Sequence, residues 1–106
     1  MGRCVIAAYT PKPAMAARLR ELVTRHHRVL HGEGLVTDRV PWIMQAQDGT
    51  IVEVFEWRSP AAVAAAHENE VVQALWEEFA AVCEYRPLAE LPEAAGPFAE
   101  FDALTP

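Results

Sequence analysis

Apolar positions recur along this chain with two different periods, and the switches between them divide it into elements. From Arg3 to Tyr9, Cys4, Ile6 and Ala8 alternate with Val5, Ala7 and Tyr9, which predicts a strand apolar on both faces. Thr10-Pro11-Lys12-Pro13 stops that strand and opens a helix, since proline is tolerated only in a helix's first turn. Met15, Leu19, Leu22, Val23, His26, Val29 and Leu30 then fall in one helical stripe, with Arg18, Glu21, Arg25 and Arg28 on the other side. Gly32 or Gly34 supplies the stop. Leu35 to Gln47 reads as a long second strand, and Pro41 makes it an edge strand or one with a bulge.

Asp48-Gly49 is a two-residue hairpin signal of the type I′ kind, in which both central residues need positive φ. The eight residues Thr50 to Trp57 follow as a third strand. Ile51, Phe55 and Trp57 lie on one face and Val52 and Val54 on the other, so this strand is central. Ser59-Pro60 caps and starts a helical region reaching about Tyr85. That region breaks near His67. Its second part is capped by Asn69 and carries the stripe Val72, Leu75, Trp76, Phe79, Val82 and Cys83. Arg86 to Pro97 is a proline-rich connection with one short turn at Leu88 to Leu91, and Phe98 to Leu104 is a short last strand.

The predicted order is therefore β-α-β-β-α-β in a single α+β domain over residues 1–106. Its simplest layout is a four-stranded antiparallel sheet with both helices on one face. The second face then presents apolar side chains to solvent over several hundred Å², more than a monomer usually exposes. A symmetric homodimer is expected to cover it.

Composition narrows the function classes. With 52% hydrophobic and 23% charged residues the chain reads as an ordinary soluble domain. The formal charge of -6 argues against nucleic-acid binding, which needs a basic face. There is no apolar run of membrane-spanning length and no charged-then-apolar leader, so no membrane partner and a cytoplasmic location are expected. Cys4 and Cys83, each among apolar neighbours, read as buried free thiols rather than a disulfide pair.

The run Val54-Phe55-Glu56-Trp57-Arg58-Ser59, followed by Ala62, His67, Val72 and Phe79, resembles the third-strand and second-helix signature of the dimeric α/β-barrel superfamily. The nearest branch is that of the antibiotic biosynthesis monooxygenases. The resemblance implies a ferredoxin-like fold, a homodimer, and a cofactor-independent oxygenase or related enzyme acting on a small aromatic or polyketide-like molecule. Fold likeness does not carry chemistry by itself. The haem-degrading members of the superfamily are disfavoured: their functional Trp and His fall on Ala66 and Trp76, and their first-strand Asn on Val5 or Ile6.

Three residues are candidates for acid–base chemistry. His67 occupies the position of a recurrent histidine in the resemblance; its structural alternative is to cap the short helix before it. His26 sits inside an apolar stripe, where a histidine is more often a satisfied core residue than a catalyst. Glu53 shares a face with Ile51, Phe55 and Trp57, where a carboxylate should be paired or held neutral with a raised pKa; it is an acid–base candidate or a salt-bridge partner of Arg39 or Arg3. Glu56, on the other face, reads as a rim or interface charge. Trp42, Met44, Phe55 and Trp76 are candidates to line an aromatic ligand's pocket. His27 and His31 have the i, i+4 spacing of a metal-chelating pair, but a site needs a third ligand, so no metal is expected. Ser59 is the only serine and is occupied as a cap, and the glycines form no phosphate-binding loop, so no cofactor is expected either. The rival to catalysis is a dimer that binds a small ligand or a protein partner without chemistry. It predicts that His67, His26 and Glu53 do not meet in one cavity.

Overall fold

A computed structural model describes residues 2–105. The elements are β1 (Arg3–Pro11), α1 (Ala16–Gly32), β2 (Trp42–Gln45), β3 (Ile51–Trp57), α2 (Pro60–Ala66), α3 (Glu70–Val82), β4 (Cys83–Arg86) and β5 (Asp102–Ala103), with 3₁₀ turns at Leu88–Glu90 and Pro92–Ala95. The strands form one antiparallel sheet in the order β4-β1-β3-β2-β5. The class is α+β, and β3 is the middle strand.

Local chemistry sets most boundaries as the sequence predicts. The Ser59 hydroxyl accepts the Ala62 N–H at 3.2 Å and Pro60 fills the first helical position. The Asn69 side chain accepts the Val72 N–H at 3.0 Å, so α2 and α3 are separate helices with His67 between them. Gly34, at φ +74°, ends α1: its N–H reaches the His31 carbonyl and the Leu35 N–H reaches back to Leu30. Two nested bonds of this kind satisfy carbonyls the last turn would otherwise leave bare.

Four expectations are corrected. The second strand is much shorter than Leu35 to Gln47: Val36 makes one isolated bridge to Trp57, and regular pairing begins only at Trp42, just after Pro41. The hairpin is not type I′. Asp48 keeps a negative φ and only Gly49 (φ +92°) is left-handed, while the Ala46 carbonyl accepts the Gly49 N–H and the Ala46 N–H reaches the Thr50 carbonyl. This is the three-residue loop ending in a glycine bulge, held by the Asp48 carboxylate accepting the Thr50 N–H at 2.9 Å. The helical region ends at Val82, and Cys83–Arg86 is a strand alongside β1. Finally, Phe98 to Leu104 contributes only the two-residue β5, which pairs outside β2, so the sheet has five strands and β2 is not its edge.

The helices cover one face. Leu19, Leu22 and Val23 of α1 and Leu75, Phe79 and Val82 of α3 pack on Tyr9, Ile43 and Ile51, while Leu30, Ala66 and Val72 pack on Phe55 and Trp57. Part of the second face is covered by the chain's own C-terminal turns. Leu91 packs with Ala8, Ala46 and Val52, and Met44, Leu88, Ala94 and Phe101 surround them. The remainder is bare: Ile6 is 49% exposed and Trp42 is 68% exposed. They lie on either side of Val54, in one cross-strand row. Among the described residues no helix is long and apolar enough to cross a membrane.

Candidate functional site

Two periodicities bring the site together. In β1, Val5, Ala7 and Tyr9 face the helices; in β3, Ile51, Glu53, Phe55 and Trp57 do the same, with Ala7 opposite Glu53 and Tyr9 opposite Ile51. His26 descends from the middle of the α1 stripe and Trp76 from α3. Because Val5, Ala7 and Ala80 are small, the aromatic side chains around them do not close the space. The result is a cavity of about 500 Å³. Tyr9, Phe55, Trp57, Trp76, Phe79 and Tyr85 supply aromatic walls, with His26, Gln73 and Glu77 as the polar members.

One hydrogen-bonded chain runs from the cavity wall into the core. The Trp76 indole donates to His26 Nε2 at 3.1 Å, and His26 Nδ1 lies 2.8 Å from Glu53 Oε1. The Tyr9 hydroxyl donates to the same oxygen at 2.8 Å. An indole N–H is a donor only, so Nε2 is the acceptor and Nδ1 carries the proton that Glu53 receives. The tautomer of His26 is therefore fixed from both sides. Edge-on rings at 5.4 Å (Phe55) and 5.1 Å (Phe79) hold the imidazole in place.

His26 is 3% exposed and Glu53 is fully buried. Glu53 Oε2 has no partner among the described residues, an unusual condition for a buried carboxyl oxygen. Burial, followed by the charge and the hydrogen bond of Glu53, pushes the Tyr9 phenol well above its ordinary pKa. Tyr9 therefore stays a neutral donor throughout the physiological range.

The sequence candidates separate clearly. His26 and Glu53 meet, and Phe55 and Trp76 line the cavity. The salt bridge considered for Glu53 is not made: Arg39 Nε goes to Glu56 at 3.2 Å, beside a Thr37 hydroxyl bond, and these two partners draw the Glu56 carboxyl below its usual pKa. His67 does not line the cavity. It is exposed, it stands as the C-cap of α2 just before the Glu68 N–H that reaches the Ala65 carbonyl, and its ring is edge-on to Trp76 at 5.2 Å. Trp42 and Met44 project from the opposite face of the sheet, where Met44 packs under the C-terminal turns. Strand parity puts them there, since they pair with Val54 and Val52 rather than with residues on the Glu53 face.

His27 and His31 tie α1 to the loop after it, through the Thr37 carbonyl at 3.2 Å and the Asp38 carboxylate at 2.6 Å. Among the described residues no group of three His, Cys, Asp or Glu side chains is arranged to hold a metal. The residues that sequence reasoning missed are Tyr9, Tyr85, Gln73 and Glu77. Tyr9 had a signal, since a tyrosine on the inward parity of a strand needs a buried partner for its hydroxyl. Tyr85 had none while its segment read as helix. Comparisons with protein-family models, with curated proteins and with solved structures return no match to this chain.

Proposed function

We propose that this protein binds a small aromatic molecule in the cavity and removes a proton from it, with His26 Nε2 as the base. One observation carries the reading: a histidine bordering a largely apolar cavity has its far nitrogen anchored on a buried carboxylate. Glu53 fixes the Nδ1–H tautomer and favours the imidazolium that forms when Nε2 takes a proton, a division of labour general to carboxylate–histidine pairs. The aromatic walls orient the substrate and exclude water. In the oxygenase version suggested by the family resemblance, a phenol or enol loses its proton to His26 and the electron-rich anion reacts with dioxygen.

The run of strands β4-β1-β3-β2 within the sheet supports a ferredoxin-like core with β5 as an addition. We also propose that two copies pair through the bare row Ile6, Val54 and Trp42. A non-catalytic binding protein is the second reading, favoured by the indole that already occupies Nε2.

Air oxidation of 1,8-dihydroxyanthrone, followed by quinone absorbance, separates the two. The protein accelerates it, and His26→Gln lowers the enzymatic rate by about 100-fold or more, the usual worth of a positioned base. Unchanged rates with His26→Gln would remove the base and leave only binding.

A further inference from the structure

The cavity carries a charge preference and a docking rule that follow from its wall. Among the described residues its one charged lining residue is Glu77, and no Lys or Arg lines it. The guanidinium groups of Arg18 and Arg25 on α1 are held by Glu78, at 2.8 and 3.1 Å. Behind the wall lies the carboxyl of Glu53 with its bare Oε2. A ligand that arrives as an anion meets the Glu77 carboxylate and no compensating cation on the wall, and its desolvation is unrewarded. The only acceptor that the histidine offers is Nε2, and the Trp76 N–H occupies it at 3.1 Å. A ligand without a donor leaves that bond as it is. A ligand with a donor gains a bond to Nε2 only if the indole withdraws. Trp76 is half-buried and borders the cavity, with the exposed His67 ring on its other contact at 5.2 Å.

We propose that the cavity takes uncharged, flat ligands bringing an O–H or N–H donor of their own, and that this donor displaces the Trp76 indole from His26 Nε2. Trp76 is then a specificity-determining residue. It keeps the base covered until a donor of the right reach arrives, and hydrocarbon analogues never uncover it. This deepens the proposed function and rests on the cavity being the binding site.

Three probes of one shape test it at neutral pH: 2-naphthol, naphthalene and 2-naphthoate, with Kd read from ligand fluorescence. 2-Naphthol binds at least tenfold more tightly than either of the others, and it alone shifts the indole N–H resonance of Trp76. In Trp76→Phe, which removes the competing donor and keeps a ring, the preference for naphthol over naphthalene rises at least threefold. In Glu77→Gln the preference for naphthol over naphthoate falls at least threefold. Equal binding of naphthalene and naphthol, or of naphthoate and naphthol, would overturn the inference. If His26→Gln still lost turnover in that case, the base assignment would stand and only the selection rule would fall. Binding of none of the three would overturn both.

Discussion

Glu53 is the residue on which the interior depends most, because it is a fully buried carboxyl on the middle strand. Two donors, from Tyr9 and His26, converge on one of its oxygens and none on the other. Its pairing with His26 was partly legible in the sequence. A period of two puts Glu53 on the inward face of its strand, and a period of 3.6 puts His26 in the stripe of its helix. What the sequence did not contain was the register, which sets Ala7 opposite Glu53 and brings Tyr9 within reach diagonally. Register depends on how strands distant in sequence align, and no local pattern states it. Of the two cysteines expected to be buried, Cys4 is exposed at the outward parity of β1 and only Cys83 is buried. Its thiol donates to the Phe79 carbonyl at 3.1 Å, and burial pushes its pKa up to about 11 from 9.0. Thiolate is the reactive form, so at pH 8 a two-unit rise reduces it by about 100-fold. Cys83 should resist a thiol reagent in the native protein and react once denaturant is added, as mass spectrometry of the labelled peptide will read. Native labelling at the rate of a free thiol would contradict this.

Among elements, those with a chemical start and stop were readable and those defined only by pairing were not. Ser59-Pro60, Asn69 and Gly34 each satisfy backbone groups locally, and the boundaries they imply hold. β4 follows α3 with no turn residue between them, so its four residues continued a helical stripe as far as sequence could tell. β5 exists because two residues happen to reach the outer side of β2. The entry to α1 holds a testable strain. Ala14 adopts φ +66° in the link between β1 and the helix, a conformation that costs a residue with a Cβ about 1 kcal/mol or more. Ala14→Gly should stabilise the protein by roughly 0.5–1 kcal/mol and raise Tm by a few degrees in calorimetry. A fall in Tm would show that the chain's entropy outweighs the strain.

The whole molecule has one face served by helices and another served only in part. Sequence reasoning found the second face too apolar to be left wet, but it assigned all of the cover to a partner. The C-terminal turns, expected only as a connection with one short turn at Leu88 to Leu91, bury Leu91 against Ala8 and Val52 and take over part of that role. Their contribution was hidden because single apolar residues between prolines form no period. The row Ile6, Val54 and Trp42 is left uncovered, and it is the surface through which the proposed dimer would form. Sedimentation equilibrium at micromolar concentration should give a dimer, and Trp42→Glu, which puts a charge into the apolar row, should give monomers that still fold. A monomeric parent protein would remove the dimer and leave the cavity untouched, since Trp42 lies on the opposite face of the sheet.

The cavity and its base are the core of the account, and the histidine tautomer tests them most directly. Long-range nitrogen–proton NMR correlation of the imidazole side chains at neutral pH distinguishes a protonated Nδ1 from a protonated Nε2. The account predicts that His26 is neutral with the proton on Nδ1, and that Glu53→Gln alters this pattern while His67 keeps its own. A neutral His26 ring carrying its proton on Nε2 instead of Nδ1 would contradict it, because such a ring could neither accept the Trp76 N–H nor donate to Glu53, and no base would face the cavity.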